Sequence, residues 1–539
     1  MKFLFTIFFL TIISLHLFSQ GGEWAWMKGD TSVNASPVWG TKGIGNPANT
    51  PPVKYSYYHW QDTSGNFWIY GGITTTNYQG YNDLWKFDVD VQNWIWMHGD
   101  ATYNSPAVYG VQGIPAAGNT PGVRYFGGLS WTGNDGKFWL VGGFGVPIGD
   151  DMWMYDPSIN EWTWMSGSPS NVLPLYGTKQ IASPYNTPGD IGETNASWVD
   201  DNGNLWFYGG QGGNLEPVSA LWKYDVSTLE WTWMNGDSIS GVPPVYGTQG
   251  IPDVNNTPGA RWCYASWKDV DGNFMLFAGE TSTYGENRND VWKYNPGDQT
   301  WTWVSGDSGI NQQGIAGAAC EFSSSNIPDA RFENRACLTD TCGNVWMYGG
   351  RSATVGGYSD LWIYRPQSND WAWVAGALDS MHHPHYGTKG VADAQNNPGA
   401  RVGTISWFDH SGNMWLFGGV GGYLFSGFYS QDLWKYIPDA SCVSNACVFT
   451  SNNVEAASLN ELKVYPDPSP GIFTIEIPPA GNLSIEIRNV IGQYIFSSEE
   501  KNTPGNSKKQ IDLSEEASGI YFLMVKKDDK QWIQKIVIE

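Results

Sequence analysis

The sequence predicts an all-β protein: a ring of six four-stranded antiparallel sheets closed by the N-terminal strand, followed by a small immunoglobulin-like β-sandwich. Three observations predict it. One unit recurs, written most plainly over 67–97 as FWIYGG, a variable loop, NDLWKFD, a short turn and NWIWM. Its apolar residues alternate with polar or small ones, so successive side chains point to opposite faces, as on a strand. The glycine pairs of the unit keep register along the chain. They are Gly71-Gly72, Gly142-Gly143, Gly209-Gly210, the degenerate Ala278-Gly279, Gly349-Gly350 and Gly418-Gly419, spaced by 71, 67, 69, 71 and 69 residues. Composition agrees, with 31 Trp and 66 Gly in 539 residues.

Each unit holds four strand-like runs. In the second they are Arg124–Trp131, Lys137–Val141, Met152–Asp156 and Glu161–Met165, with a hairpin turn at Asn134-Asp135-Gly136. One such sheet buries too little alone, so repeated sheets stack radially into a propeller. Trp-x-Trp ends five units, at Trp94/Trp96, Trp162/Trp164, Trp231/Trp233, Trp301/Trp303 and Trp371/Trp373. The sixth unit has Leu433-Trp434-Lys435-Tyr436 but nothing after it; the missing strand is Glu23-Trp24-Ala25-Trp26-Met27 at the other end. Pairing those two runs closes the ring and removes open edges. The glycine pairs, the aromatic fourth strand and the unit layout resemble the kelch-repeat family, which includes the galactose oxidase propeller. The resemblance covers 21–439 and implies a six-bladed kelch-type propeller. The units exceed the usual kelch length of about 50 residues by one insert each.

Met1–Gln20 carries Lys2 and then an apolar run to Leu17, and reads as a secretory signal peptide. The net charge of −23 excludes nucleic acid as a partner. Six cysteines in an exported chain point to disulfides without fixing their pairing. Proximity along the chain suggests Cys442 with Cys447 and Cys337 with Cys342, which leaves Cys263 with Cys320 on one face of the ring. The repeat stops at 440–457, a linker. The segment 458–539 follows as six or seven short alternating strands, the pattern of a small sandwich. Its Leu462–Pro468, Gly471-Ile472-Phe473, Gly492-Gln493 and Ser518–Val525 resemble the C-terminal sorting domain of type IX secretion in Bacteroidetes. Asp467 departs from that family's usual Asn. The resemblance implies recognition by the type IX machinery and a secreted or outer-membrane surface location. Nothing in the sequence calls for more than a monomer.

Function is expected on the face carrying the long loops, which emerge between the second and third strands and between units. The inserts repeat as Tyr246–Ile251 and Asn256–Arg261, with relatives at Tyr109–Arg124, Tyr176–Asp190 and Tyr386–Arg401, which argues for a structural role. Where each insert enters the innermost strand stands Lys54, Arg124, Arg261, Arg331 or Arg401, with Asp190 in the third unit. These cations either bond neighbouring units as struts or ring the channel mouth to capture an anionic ligand such as an acidic sugar. Loop aromatics Trp39, Tyr78, Tyr81, Tyr284, Tyr358, Tyr423, Phe425, Phe428 and Tyr429 suit sugar stacking or a protein partner. No copper constellation is evident: His382, His383 and His385 are a local variation, and His59 has no His partner in register. Turns such as 201–206 and 340–346 resemble the sialidase Asp box only in part, and calcium at them would need several converging oxygens. The reading is an exported binding protein for a glycan or surface protein, with a carbohydrate-active hydrolase or oxidase as the alternative. A carboxylate pair or metal cluster converging on the channel mouth would favour the enzyme.

Overall fold

The computed structural model describes residues 21–439 except 75–78, 127, 146–148, 169, 171, 194–196, 213, 282, 355 and 422–427. It also describes Cys442 and residues 463–538 except 467, 477–480, 490–493, 504–507, 515 and 528–529. The expected signal peptide, the linker except Cys442, Tyr78, Tyr423, Phe425, Cys447, Asp467 and the Phe428 side chain lie outside the described residues.

Five four-stranded antiparallel sheets and a sixth, to which Ala392–Asp393 adds a fifth short strand beside Gly22–Lys28, succeed one another along an all-β chain. Sheet one runs Tyr58–Gln61, Phe67–Tyr70, Leu84–Asp88 and Asn93–His98. Sheets two to five repeat that order within 129–166, 197–235, 265–305 and 336–375. The second strand of every sheet is buried at all positions, because it is covered on both faces by neighbouring sheets. That explains why FWIY, FWLV and MWLF read as unbroken apolar runs.

Sheet six consists of Ile405–Phe408, Met414–Phe417, Leu433–Pro438 and, as its fourth strand, Gly22–Lys28. The last two pair antiparallel, with Trp24 opposite Tyr436 and Trp26 opposite Trp434. Trp24 fills the place that Trp94, Trp162, Trp231, Trp301 and Trp371 fill elsewhere. Its carbonyl accepts from Asn396 Nδ2 at 2.8 Å, as Trp94 accepts from Asn49 and Trp301 from Asn256, at 2.9 and 3.0 Å. These Asn belong to the inserts. Each insert therefore folds back on the outermost strand of its own sheet, and its repetition is structural.

Indole donors link sheet to sheet: Trp407 to the Trp60 carbonyl at 2.9 Å, Trp60 to Trp139 at 3.2 Å, Trp131 to Trp206 at 3.2 Å and Trp198 to Trp267 at 2.8 Å. The first of these joins sheet six to sheet one, where Phe67 also stacks on Trp407 with centroids 4.8 Å apart. The Asp-rich hairpin turns are closed by their own neighbours. Asp200 accepts from the Asn202 and Asn204 backbones and from Trp206 Nε1, and Asp62, Asp340 and Asp409 hold the same indole position.

The cysteine pairing expected from proximity is corrected. Cys320 bonds Cys442, 122 residues away, while Cys263 and Cys337 are free thiols and Cys342 is disulfide-bonded. Cys263 faces the centre of the sheets, whereas Cys320 sits in an outer insert, held by its N–H on the Trp373 carbonyl. The bridge lies against Gly21, where an added Cβ would come 2.2 Å from Cys320 Sγ, so only glycine fits there.

The C-terminal strands form a three-stranded and a four-stranded sheet around one apolar core of Phe473, Ile475, Ile485, Ile487, Leu523 and Ile536, among others.

Candidate functional site

The innermost strand expected over Arg124–Trp131 is interrupted. Its first residues, Arg124–Tyr125, turn aside to pair with Phe144–Gly145, and a separate strand starts at Leu129. All six repeats do this. Small ladders place Tyr55 opposite Ile73, Tyr125 opposite Phe144, Gly192 opposite Gln211, Trp262 opposite Glu280, Phe332 opposite Arg351 and Val402 opposite Val420. The next residue in each repeat is left-handed: Ser56, Phe126, Glu193, Cys263, Glu333 and Gly403, with φ between 50° and 60°. Five of these are not glycine, and each such residue costs about 1–2 kcal/mol. Backbone bonds across repeats hold them there: the Glu193, Cys263 and Glu333 N–H groups donate to the Phe126, Glu193 and Cys263 carbonyls at 2.8, 3.0 and 2.9 Å.

These ladders form a collar around one pocket of about 400 Å³. Residues from all six repeats line it, with Tyr55, Tyr125, Trp262, Phe332 and Tyr429 as walls and Glu193, Glu333 and Arg351 as its charged groups. Three consecutive left-handed positions, Glu193, Cys263 and Glu333, bring ligand-type atoms within 4.8 Å of one another. Arg335 joins two of them, donating to Glu193 Oε2 at 2.7 Å and to Glu333 Oε2 at 3.3 Å. The Cys263 thiol donates to Glu193 at 3.1 Å. Burial, reinforced by the Glu333 charge, pushes the Glu193 carboxyl up to about 7. Burial and the Glu193 charge push the Cys263 thiol well up, which keeps it protonated. A cation ligated by these three groups would have to displace the Arg335 fork. A carboxylate pair thus converges at the centre of the repeats, held by an arginine.

Below the pocket, His59, Ser130, Ser197, Ser266, Cys337 and Ser406 stand in register on the innermost strands and line a polar cavity of about 290 Å³. Burial holds His59 down to about 4 and Cys337 up to about 12, so both are neutral at pH 7.

The five predicted cations lie elsewhere. Lys54, Arg124, Arg261, Arg331 and Arg401 are all buried and ion-paired, to Asp83, Asp151, Asp290, Asp360 and Asp432 in turn. Arg261 grips Asp290 with both nitrogens at 2.8 and 3.0 Å, and the same carboxylate accepts from Trp292 Nε1 and the Tyr246 hydroxyl. Burial opposes ionisation of Asp290, yet Arg261 holds its carboxyl below the usual range. Their charged groups are struts within their own repeats rather than between neighbouring ones, and the expectation that they capture an anion is corrected: each is already taken by a buried aspartate. The third repeat is also corrected. Register places Ile191, not Asp190, at the cation position, and Ala220 at the aspartate position; both partners are replaced together. Asp190 instead accepts from the Val172 N–H at 3.1 Å.

Of the loop aromatics, Tyr284 and Tyr429 reach the pocket. Tyr81 and Tyr358 are buried, and Trp39 packs on Trp85 and Trp96. The collar residues were missed, although a signal was present. The residue after each glycine pair reads Ile73, Phe144, Gln211, Glu280, Arg351 and Val420, six different residues beside a nearly constant pair.

Residues 463–539 match the secretion system C-terminal sorting domain. The chain is exported by the type IX route to the medium or the outer-membrane surface, and this segment is its contact with that machinery. No curated protein sequence matches the chain. Among solved structures it is similar to a novel fungal alcohol oxidase of the AA5 family in complex with copper. The identity is 12% and the TM-score 0.42, covering 92% of this chain and 100% of that one. It is also similar to YjhT, at 14% identity and a TM-score of 0.43, covering 71% of this chain and 95% of that one.

Proposed function

We propose that residues 21–439 form a closed six-bladed kelch-type propeller that binds a glycan or a surface protein in the collar pocket. One observation carries the reading: a single pocket is lined by residues from all six repeats, at the positions where the repeat breaks. A frame role keeps a column of residues nearly constant, as the cation–Asp struts are in five of six repeats; a column that differs in every repeat is free to serve a ligand. Aromatic walls with a few convergent charges are the usual make-up of a ligand site. The Trp407–Trp60 bond and the Phe67–Trp407 stack support closure between the last sheet and the first.

The test is a screen of the full chain against neutral and acidic glycans and candidate surface proteins, repeated with Trp262→Ala and Phe332→Ala. Saturable binding that drops at least tenfold in either variant supports the pocket. Binding unchanged in both moves the ligand elsewhere.

A second reading, glycoside hydrolysis, is favoured by the Glu193–Glu333 pair, since a carboxyl near 7 can carry a proton at neutral pH. Arg335 weighs against it by occupying an oxygen of each carboxylate. Turnover of aryl glycosides that disappears in Glu193→Gln would establish it; no turnover of any would remove it.

A further inference from the structure

Most buried arginines among the described residues come with a carboxylate. Arg261, Arg331 and Arg401 hold aspartates and Arg335 holds Glu193 and Glu333, while Arg288 donates to the Ser308 carbonyl at 2.6 Å. Arg351 lines the pocket and differs. It is 5% exposed, and its guanidinium lies 4.2 Å from the centre of the Phe332 ring. Among the described residues its side chain makes no ion pair and no hydrogen bond, and its Nε is shut away without a partner. Glu280 holds the equivalent position in the preceding repeat but does not reach it. That carboxyl binds the Gly285 N–H at 2.7 Å, leaves Oε2 without a partner, and is pushed up to about 7 by burial. The Arg351 charge pulls against burial on that carboxyl, but no ion pair joins the two side chains.

We propose that the collar pocket binds a small organic carboxylate, seated on the Arg351 guanidinium with its ring or apolar body against the aromatic walls. The proposal rests on the reading that this pocket is the ligand site. A buried guanidinium without a partner is costly, and its planar fork matches the two oxygens of a carboxylate. Tyr55, Trp262 and Phe332 offer faces for a flat body, and about 400 Å³ suits a ligand of one or two rings. The body can belong to an acidic sugar or to an aromatic acid; the carboxylate is the shared chemistry.

Titration calorimetry on the full chain tests this with two matched pairs of probes: glucuronate against glucose, and phenylacetate against 2-phenylethanol. At least one acid should bind about tenfold or more tightly than its uncharged counterpart, the size of one charge-assisted bidentate contact. That preference should vanish in Arg351→Gln and survive in part in Arg351→Lys. The pair that discriminates identifies the source, sugar or aromatic acid. Equal affinity within both pairs, no binding of any probe, or a preference that persists in Arg351→Gln overturns the proposal. The native chain's discrimination decides the matter even if Arg351→Gln misfolds. A neutral ligand that binds the native chain and is lost in Trp262→Ala would overturn this proposal while leaving the pocket as the binding site.

Discussion

The third repeat is a natural double variant of the strut, and it sets up a quantitative test. Asp290 receives four donors, two from Arg261 at 2.8 and 3.0 Å, one from Trp292 at 2.7 Å and one from Tyr246 at 2.8 Å. Arg261 keeps further contacts to the Ala278 and Pro258 carbonyls. Asp290→Ala leaves a guanidinium with no exposed surface lacking its counter-charge, and breaking a buried pair from one side costs about 3–5 kcal/mol. The double variant Asp290→Ala with Arg261→Ile copies Ala220 and Ile191, which share one apolar cluster in the third repeat. It removes the stranded charge and leaves only the two neutral donors that Asp290→Ala also leaves without a partner, so its cost should fall below that of Asp290→Ala. The two single variants and the double form a cycle readable by differential scanning calorimetry. The expected result is that the double variant melts above Asp290→Ala. Refutation would be a double variant whose loss equals the sum of the singles, or an Asp290→Ala protein within about 1 kcal/mol of native.

Three further outcomes are expected. Glu193 has a carboxyl near 7 against 4.5 unfolded, so the folded state binds more protons than the unfolded between these values and stability falls as pH rises from 4.5 to 7. The loss from this group is on the order of 3 kcal/mol, and Glu193→Gln should make that part of a melting-temperature profile shallower, with Glu280 supplying the remaining slope. Trp24→Ala should cost about 3–5 kcal/mol, since Trp24 is buried between Tyr348 and Tyr436; an unchanged melting temperature would refute the N-terminal strand as part of the last sheet. Cys442→Ser should destabilise by up to about 5 kcal/mol, because Cys320 lies 122 residues away, and a non-reduced peptide map should recover a 320–442 bridge and no 263–320 bridge.

The frame was legible because its causes are local and repeated. Alternating apolar runs, glycine pairs and Trp-x-Trp each recur, and the absent sixth Trp-x-Trp pointed to Trp24 and Trp26. The cation column at Lys54, Arg124, Arg261, Arg331 and Arg401 was visible too, but not its partner. Each Asp lies 27 to 31 residues further on, and only burial of both decides between strut and ligand site. The turn that builds the collar was illegible for a different reason. This left-handed turn falls on Ser56, Phe126, Glu193, Cys263 and Glu333, where no glycine announces it. The backbone bonds that enforce the turn come from the adjacent repeat, about 70 residues away in sequence. The disulfide eluded sequence reasoning because chain proximity favoured Cys447, whereas the last sheet brings Cys442 back to Cys320 beside Gly21.

The Cys320–Cys442 bridge has a mechanical meaning for a protein carried to the cell exterior by its C-terminal segment. Tension applied from that segment meets Cys442 before it meets Leu433–Pro438. The bridge diverts the load into the insert of the fifth repeat, and the pairing of Gly22–Lys28 with the last sheet is spared from being unzipped from its end. Reduction of this bond would remove that path from the last sheet into the fifth repeat.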